Sequence, residues 1–298
     1  MGGVTSLLIA LAALLWATDA LFRKPLTQDL SAWAIVFAEH ALALVFVIPI
    51  LIKSWRRAVA LTARQWGAVL FIGVAASALA TVAFTASFSY VSPSVSILLQ
   101  KIQPLFTLVL ALVWLGERLP KYFWGWAVAA LVGGYFVSFP EIIPQLSLYQ
   151  SGAIGVMLAL VAALLWGSAT VFGRFLLKDL SFPLVTALRF IVALPVLGII
   201  LGYYNGFSAF STISVRDIWF LIIIMLGPGF GAMYLYYKGL AVTKASVSAI
   251  LELTWPLAAV VLNWIFLKET LTLWQIFGGL VLTGSIAKIT VWRRDRVG

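Results

Sequence analysis

The sequence predicts an all-α integral membrane protein with ten transmembrane helices, arranged as two inverted repeats of five helices each. Three observations lead to this fold class. First, 63% of the 298 residues are hydrophobic and only 10% are charged, whereas about a quarter of the residues in a soluble domain are charged. Second, the chain divides into ten apolar runs, and third, its two halves share an ordered set of short motifs. So few polar residues cannot cover a water-soluble particle of this size, and we therefore expect lipid to surround the protein.

Each apolar run is long enough for a helix that crosses a bilayer, which needs roughly 20 mostly apolar residues. The links between the runs are short, and no segment resembles a separate soluble domain. No basic segment precedes the first run, so we interpret it as the first helix and not as a signal peptide. The ten predicted spans are 4–22, 31–52, 66–86, 92–114, 122–140, 152–173, 182–203, 217–238, 246–266 and 273–291.

The two halves repeat at a nearly constant offset. The segment Ala-Ala-Leu-Leu-Trp occurs at residues 12–16 and again at 162–166, an offset of 150. Chance similarity between apolar helices is the alternative, but ordered matches that contain Trp, Asp, Pro and Glu favour duplication. The other matches are Asp29-Leu30-Ser31 with Asp179-Leu180-Ser181, Ser94-Val95-Ser96 with Ser246-Val247-Ser248, Pro104-Leu105 with Pro256-Leu257, and Leu115-x-Glu117-x-Leu119 with Leu267-x-Glu269-x-Leu271.

Duplication divides the chain into a first five-helix repeat at residues 1–145 and a second at 146–298. An odd number of spans in each repeat inserts the second half into the membrane upside down. Inverted repeats of this kind occur in secondary transporters, which hold the solute near the bilayer midplane between the repeats.

The distribution of Lys and Arg predicts the orientation, because cytoplasmic links carry an excess of both. With both termini in the cytoplasm, twelve basic residues lie in inner links and the tail, and four lie in outer links. We therefore expect a multi-pass plasma (inner) membrane protein with cytoplasmic N- and C-termini. The adjacent pair Arg23 and Lys24 is the local exception, and the other outer residues are Arg216 and Lys268. The inner residues are Lys53, Arg56, Arg57, Arg64, Arg118, Lys121, Arg174, Lys178, Lys244, Arg293, Arg294 and Arg296.

Composition also excludes several function classes. The net charge of +10 suggests nucleic acid, but the basic residues form no long stripe and no binding motif. The chain has no cysteine and one histidine, so a thiolate or multi-histidine metal site is impossible. It also lacks a phosphate-binding loop, GxSxG and HExxH. We expect no enzymatic activity, cofactor, metal or nucleic-acid partner; the expected partners are a small-molecule solute and the lipid bilayer, and no oligomer is required.

Several motifs resemble the drug/metabolite transporter superfamily in its EamA-type form, over the whole chain. The fourth and ninth helices each contain Pro and end in an L-x-E-x-L corner, at 104–119 and 256–271. Leu-Leu-Trp near the middle of helices one and six, and Arg189-Phe190 in helix seven, also fit. Within the superfamily the chain is most like YddG-type exporters of aromatic and other amino acids. The resemblance implies export of one solute at a time through a central cavity that opens alternately to each side.

Ionisable residues inside predicted spans are candidates for function, because each costs about 2.5–3.5 kcal/mol at the centre of a lipid-facing helix. Glu39, Lys101, Arg189 and Glu252 lie inside predicted spans and are such candidates. The first repeat has Glu39-His40 where the second has Arg189-Phe190, so no arginine role transfers to position 39. His40 beside Glu39 can exchange protons near neutral pH; the alternative is a neutral ring bonded to a backbone carbonyl. If the protein is a proton antiporter, Glu39, His40 and Glu252 are the candidates for carrying the proton. If it is not, transport is facilitated and follows the solute gradient.

Helix four carries the clearest polar stripe. Ser96, Gln100 and Gln103 have the i, i+4, i+7 spacing of one helical face. In helix nine, Glu252 corresponds to Gln100 and Ser248 to Ser96, so helices four and nine are predicted to line a cavity from two sides. We expect Gln100, Gln103 and Ser248 to hydrogen-bond a zwitterionic solute and Glu252 or Lys101 to supply charge. Hydrogen bonding that only joins the helices is the alternative.

Aromatic residues make up 14% of the chain, including 13 Trp. Seven tryptophans near span ends are interpreted as interfacial anchors: Trp33, Trp55, Trp66, Trp124, Trp219, Trp274 and Trp292. Trp16, Tyr90, Trp166 and Trp255 lie elsewhere and are candidates for a substrate-stacking wall, with ordinary helix packing as the alternative.

Pro and Gly interrupt several predicted helices. Pro104 and Pro256 lie at matching places in helices four and nine, and Pro228 and Gly229 lie within helix eight. Pro removes a backbone donor and kinks a helix, so we interpret these four residues as hinges for alternating access. A static kink is the alternative.

These features favour a secondary transporter that exports small metabolites, with amino acids, and aromatic ones above all, as the expected solutes. Efflux of cationic drugs or of a nucleotide sugar by the same fold is the first alternative. A membrane-embedded lipid enzyme is a second, but the carboxylates are scattered. A selective channel is a third, and the sequence shows no ring of repeated polar groups.

Overall fold

The structure is a computed structural model that describes residues 2–91, 93–138, 150–267 and 272–294. Within these ranges every regular element is a helix, which confirms the all-α class. Lys268, Glu269, Leu271 and Arg296 lie outside the described residues, so the second L-x-E-x-L corner stays a prediction.

The described residues of the first half form nine α-helices. A π-helical segment at Phe71–Ala80 joins two of them, and a 3-10 turn at Gln100–Ile102 joins two others. The helices are α1 Gly2–Ala17, α2 Asp19–Asp29, α3 Ala32–Leu42, α4 Leu44–Val59, α5 Ala63–Leu70, α6 Thr81–Ser87, α7 Pro93–Leu99, α8 Gln103–Val113 and α9 Lys121–Ser138.

The second half has fewer breaks. A short 3-10 helix at Gly206–Thr212 precedes the eighth predicted span, and a π-helical segment at Met225–Gly229 lies within that span. The α-helices are α10 Gln150–Leu176, α11 Phe182–Tyr203, α12 Val215–Ile224, α13 Phe230–Leu240, α14 Ala245–Leu251, α15 Thr254–Leu267 and α16 Leu273–Arg294.

Several helices begin at side chains that cap their free backbone N–H groups. The hydroxyl of Ser31 accepts from the backbone N–H of Ala34 at 3.2 Å. Thr62 and Gln65 form a reciprocal capping box at the start of α5. These caps define where the helices start after the short links.

Five described helical stretches are long and apolar enough to cross a membrane: Ala63–Ser87, Val95–Val113, Gly152–Leu176, Phe182–Tyr203 and Val215–Leu240. The pair α3 and α4 forms a sixth if its 50° bend lies within one span. The chain is therefore a multi-pass membrane protein, and the count of ten spans stays a prediction. Breaks account for part of the difference, since α1 ends at Ala17 and α3 is bent from α4, whereas α9 and α16 are unbroken.

Contacts between the halves follow a reciprocal pattern. Helix α1 packs against α13 and α15, while α10 packs against residues 71–87 and against α8. Helices α1 and α10 hold the repeated Leu-Leu-Trp motif. Helix α1 contacts the eighth and ninth predicted spans, and α10 contacts the third and fourth, so each packs on the matching elements of the other half. Helices α9 and α16 pack mainly on each other.

Glycine allows α9 and α16 to approach with their backbones nearly in contact. A Cβ atom on Gly278 would lie 2.7 Å from both the carbonyl oxygen of Gly133 and the backbone nitrogen of Val137. A Cβ on Gly133 would likewise lie 2.8 Å from the backbone nitrogen of Leu282. Small residues at such crossings are typical of membrane helix pairs.

We expect Gly278→Val to separate α9 from α16 and to lower the free energy of unfolding by about 1–3 kcal/mol, the range for overpacking. The thermal midpoint of the purified protein in detergent measures this. Gly284→Val on the same helix is the control, because nothing lies within 4 Å of a Cβ at that position. Equal midpoints for the two variants would contradict the close approach.

Candidate functional site

A cavity lies where the two halves meet, and both halves contribute to its wall. Its non-atom space, including the mouth, is about 1180 Å³. Residues from α1, α2, α3, α6, α7 and α8 line it from the first half, and residues from α10, α11, α13 and α15 from the second. The cavity wall also includes residues of both π-helical segments and of the 3-10 turn at Gln100–Ile102.

One part of the wall is a buried ion-pair cluster around Arg23, which is 3% exposed. Its guanidinium donates to both oxygens of Asp19, at 2.6 and 2.9 Å, and to Glu39 at 3.0 Å. A fourth bond reaches the hydroxyl of Thr85 at 3.3 Å. One cation thus joins two carboxylates and connects α2 to α3 and α6.

This cluster corrects the topology argument from basic residues. Arg23 is not an outer-link residue, because α1 ends at Ala17, the chain turns at Thr18, and α2 continues to Asp29. Asp19 and Arg23 lie four residues apart on α2, so their side chains meet on one face. Lys24 also has a partner, since its ammonium donates to the carbonyl oxygen of Phe88. Arg23 is therefore a buried ion-pair residue, whereas Lys24 is partly buried and bonds to a backbone carbonyl.

His40 lies in a second polar group. Its Nδ1 is 2.8 Å from the carbonyl oxygen of Val36, and its Nε2 is 2.9 Å from the hydroxyl of Ser77. Arg189 donates to the same hydroxyl at 3.3 Å and to Tyr237 at 3.1 Å. The structure does not pair His40 with Glu39, because adjacent helical residues point about 100° apart and Glu39 bonds to Arg23.

Glu252 forms the third polar group, at the interruption between α14 and α15. Its carboxylate accepts from the amide of Gln103 at 2.7 Å and from the hydroxyl of Tyr236 at 2.6 Å. The hydroxyls of Tyr236 and Thr170 are 2.8 Å apart. In the described part of the chain, none of the ion pairs includes Glu252, so this carboxylate has only uncharged partners.

A fourth group lies on the wall at Gln100, Lys101 and Trp255. The Gln100 amide donates to the carbonyl oxygen of Ala159 at 2.7 Å. The amide oxygen of Gln100, the ammonium of Lys101 and the indole N–H of Trp255 are buried and have no hydrogen-bond partner among the described residues. The Lys101 ammonium lies 5.0 Å from the centre of the Trp255 ring.

Two aromatic clusters complete the wall. The ring centres of Trp16 and Tyr236 are 5.3 Å apart. Phe84 lies 5.2 Å from Trp166 and 6.5 Å from Trp255. The indole N–H of Trp166 donates to the carbonyl oxygen of Ala76 at 2.9 Å, which fixes the orientation of that ring.

Most of the predicted site residues lie on this one cavity. They are Trp16, His40, Gln100, Lys101, Gln103, Trp166, Glu252 and Trp255, and the predicted hinges Pro104, Pro228, Gly229 and Pro256 lie there too. Whether any of them binds a solute or acts as a hinge stays a prediction.

Three residues lie elsewhere than predicted. Ser96 is fully buried and shares a hydrogen bond of 2.7 Å with Ser87, since the 3-10 turn at Gln100–Ile102 interrupts the helical spacing of the polar stripe. Ser248 is fully buried and is absent from the cavity wall. Tyr90 is 45% exposed, lies at the chain turn after α6 and is not among the residues that line the cavity.

Sequence reasoning missed several wall residues. Asp19 and Arg23 had a usable signal, because two opposite charges four residues apart interrupt an otherwise apolar run. Ser77, Phe84 and Tyr236 had none, since Ser, Phe and Tyr are common in membrane helices and only packing brings these three to the cavity.

Comparison with known proteins adds family membership to this geometry. The riboflavin transporter ImpX of Fusobacterium nucleatum is 29% identical over 289 residues, which cover 96% of this chain and 97% of ImpX. The uncharacterized inner membrane transporter YhbE of Escherichia coli is 25% identical over 138 residues, which cover 46% of this chain and 43% of YhbE. A solved structure with 15% identity shares the fold, with a TM-score of 0.78 over 98% of this chain and 99% of that chain. A profile of the EamA-like transporter family matches residues 4–139 and 153–291. The chain therefore belongs to the EamA-like transporter family.

Proposed function

We propose that this chain is a secondary transporter that carries a flat heteroaromatic metabolite of the flavin class across the membrane. The observation that carries the proposal is the cavity wall, which combines two aromatic clusters with polar side chains such as Gln103 and Glu252. A flat ring system can stack on aromatic side chains, while its polar edge can hydrogen-bond to the polar ones.

The placement of aromatic rings around the cavity supports a solute with an extended ring system. The rings of Trp16 and Phe84 lie on α1 and α6, so a bound ring system would contact several helices at once. ImpX, which matches almost the whole chain, is named for a flavin.

The proposed architecture is ten spans in two inverted repeats, at residues 1–145 and 146–298. The reciprocal contacts of α1 and α10 support it. Matching interruptions also support it, because α7 ends at Leu99 and α14 ends at Leu251, 152 positions apart. We place both termini in the cytoplasm. Because Arg23 belongs to a buried ion pair and not to an outer link, the excess of basic residues in the inner links becomes larger, which favours this orientation.

Alternating access would use the interruptions as hinges. Pro104 follows the 3-10 turn at Gln100–Ile102, and Pro256 lies in the first turn of α15. Pro228 and Gly229 lie in the π-helical segment. Freed backbone groups are tolerated at membrane depth where they border a cavity, as all four residues do.

Export of an aromatic amino acid, as in YddG-type exporters, is the second candidate. Lys101 and Glu252 favour it, because the wall presents one cation and one anion that no ion pair of the described chain includes. A zwitterion could engage both. In the first candidate these groups bind uncharged polar atoms of the solute.

The test is uptake into liposomes that contain the purified protein, with radiolabelled riboflavin, tryptophan and a cationic dye, each with and without a pH gradient. We expect saturable riboflavin uptake that excess unlabelled riboflavin abolishes. Tryptophan uptake without riboflavin uptake would favour the second candidate, and transport of the dye alone would refute both. A dependence on the pH gradient separates proton antiport from facilitated transport.

A matched pair of variants ties the uptake to the cavity. Trp16→Ala removes a wall ring and should lower the apparent affinity for riboflavin about tenfold, since stacking on an aromatic ring contributes roughly 1–3 kcal/mol. Trp219→Ala is the control, because Trp219 is 59% exposed on α12 and away from the wall. Equal losses in the two variants would refute binding at this wall.

A further inference from the structure

Three carboxylates of the described residues line the cavity, and their surroundings differ. Asp19 and Glu39 share the cation of Arg23. Glu252 is 8% exposed, accepts only from uncharged side chains, and belongs to none of the ion pairs in the described chain. Burial of a carboxylate without a cation is unfavourable, because the charge loses its water. Glu252 is therefore the wall carboxylate that most needs a bound proton or a solute donor.

The helices packed around Glu252 bring no charged partner to it within the described part of the chain. Helices α1 and α8 contain no ionisable residue, and Arg174 of α10 donates to backbone carbonyl oxygens instead. Lys101 forms a cation–π contact and no ion pair. Besides Tyr236, the described ionisable side chains of α9, α13 and α16 are Lys121, Tyr122, Tyr135, Tyr234, Tyr237, Lys238 and Lys288, and none of them forms an ion pair with Glu252.

A chain of hydroxyl groups behind Glu252 can satisfy its carboxyl group in both protonation states. The Tyr236 hydroxyl lies 2.6 Å from Glu252 and 2.8 Å from the Thr170 hydroxyl, which lies 3.4 Å from the carbonyl oxygen of Trp166. When Glu252 is ionised, Tyr236 donates to it. When that oxygen is protonated, Glu252 donates to Tyr236, Tyr236 to Thr170, and Thr170 to the carbonyl oxygen. Because each hydroxyl both donates and accepts, only hydroxyl hydrogens rotate.

The other two sequence candidates for the proton lack such a chain. Nδ1 of His40 donates to a backbone carbonyl oxygen, so Nε2 would take up the proton. Nε2 faces the Ser77 hydroxyl, which also accepts from Arg189. A cationic His40 would lie close to the Arg189 guanidinium, and like charges repel strongly where water is scarce. Glu39 already has the cation of Arg23.

We propose that Glu252 binds the proton that this transporter exchanges for its solute. Two donors occupy two of the roughly four acceptor sites of the ionised carboxylate, so an N–H or O–H group of the solute can also donate to it from the cavity. Protonation removes that acceptor capacity, so solute and proton compete. Solute binding releases the proton on one side of the membrane, and Glu252 takes up another after the solute leaves on the other side. This inference rests on the proposed function.

The first experiment measures accumulation in liposomes that contain the wild-type protein, with the membrane potential held at zero by potassium and valinomycin. With the lumen one pH unit more acidic than the outside, exchange of one proton for one solute should concentrate riboflavin about tenfold inside, because one pH unit is a tenfold ratio of proton activity. A protonophore should abolish the accumulation. Equal riboflavin concentrations on the two sides under the gradient would overturn the inference.

The second experiment assigns the proton to a residue. Glu252→Gln keeps the shape of the side chain and cannot ionise, so we expect the accumulation ratio to fall to about one. His40→Gln is the matched comparison, because it removes another candidate and should still reach the wild-type ratio, which depends on coupling and not on rate. A tenfold ratio in Glu252→Gln, or its loss in His40→Gln alone, would refute the assignment.

Proton release by the wild-type protein provides a measurement that needs no variant. Riboflavin binding in detergent is followed by calorimetry at several pH values and in buffers of different ionisation enthalpy. We expect binding to release up to one proton per solute, and the affinity to fall as the pH is lowered, because protons then occupy Glu252. Binding whose affinity and heat depend on neither pH nor buffer would contradict the competition.

The outcomes separate this inference from the proposed function. Saturable riboflavin uptake that only equilibrates under a pH gradient leaves the proposed function standing and overturns the proton site. Accumulation of tryptophan and not of riboflavin, lost in Glu252→Gln, refutes the flavin solute and supports the proton site. If neither solute is transported, both are refuted.

Discussion

Replacing Arg23 by methionine is expected to lower the free energy of unfolding by about 3–5 kcal/mol, the range for removing one partner of a buried ion pair. Arg23 is 3% exposed and is bonded to both Asp19 and Glu39. Without it, two largely buried carboxylates lie close together with no cation to balance their charge. The thermal midpoint of the purified protein, followed by size-exclusion chromatography after heating, measures the loss.

Two comparisons isolate the charge effect. Arg216→Met is the matched control, because Arg216 also pairs with two carboxylates, Asp29 and Asp217, but its own side chain is about half exposed, and ion pairs of so exposed a cation contribute only about 0–1 kcal/mol. Adding Asp19→Asn and Glu39→Gln to Arg23→Met removes the uncompensated charges. The triple variant should therefore recover much of the thermal midpoint that Arg23→Met loses. If Arg23→Met and Arg216→Met shift the midpoint equally, the cluster does not stabilise the fold.

Replacing Gly229 by alanine is expected to reduce transport at least about tenfold and to lower the free energy of unfolding by about 1–3 kcal/mol, as overpacking does. A Cβ at this position would lie 2.6 Å from an oxygen of Glu39 and 2.8 Å from the carbonyl oxygen of Ile224. The backbone oxygen cannot move without disturbing the π-helical segment, and moving Glu39 weakens its bond to Arg23. The measurement is the initial rate of uptake per folded protein in liposomes.

Gly227→Ala tests whether the effect depends on position. Gly227 lies in the same π-helical segment, but nothing lies within 4 Å of a Cβ there. We expect it to transport at the wild-type rate, because alanine also favours helix over glycine. Wild-type uptake by Gly229→Ala would argue against both the close contact with Glu39 and a hinge at this segment.

The sequence was sufficient to predict the class of fold and much of the cavity wall. Apolar runs predict membrane helices because lipid leaves backbone groups no other partner than the helix itself. Charged and amide side chains within those runs predict cavity residues because facing lipid is costly. Glu252, Lys101 and Gln100 follow from this reasoning, and all three line the cavity.

The same reasoning failed where a short interruption changed the direction of a side chain. A straight helix would place Ser96 on the face of Gln100 and Gln103, but the 3-10 turn rotates the residues that follow it. Ser96 therefore bonds to Ser87 inside the bundle. The sequence places Arg23 in a link, because only one of its two carboxylate partners, Asp19, is close to it in the chain. The other, Glu39, lies on another helix.

The amino-acid sequence by itself determined that this protein lies in a membrane, that its helices are apolar, and that its two halves share an ordered set of motifs. These properties depend on composition and periodicity, which are local. Tertiary structure alone decided which charges pair, which way the Gln100 amide points, and that Tyr236 bonds to Glu252. Those outcomes depend on contacts between residues far apart in the chain, and small rotations of packed helices change them.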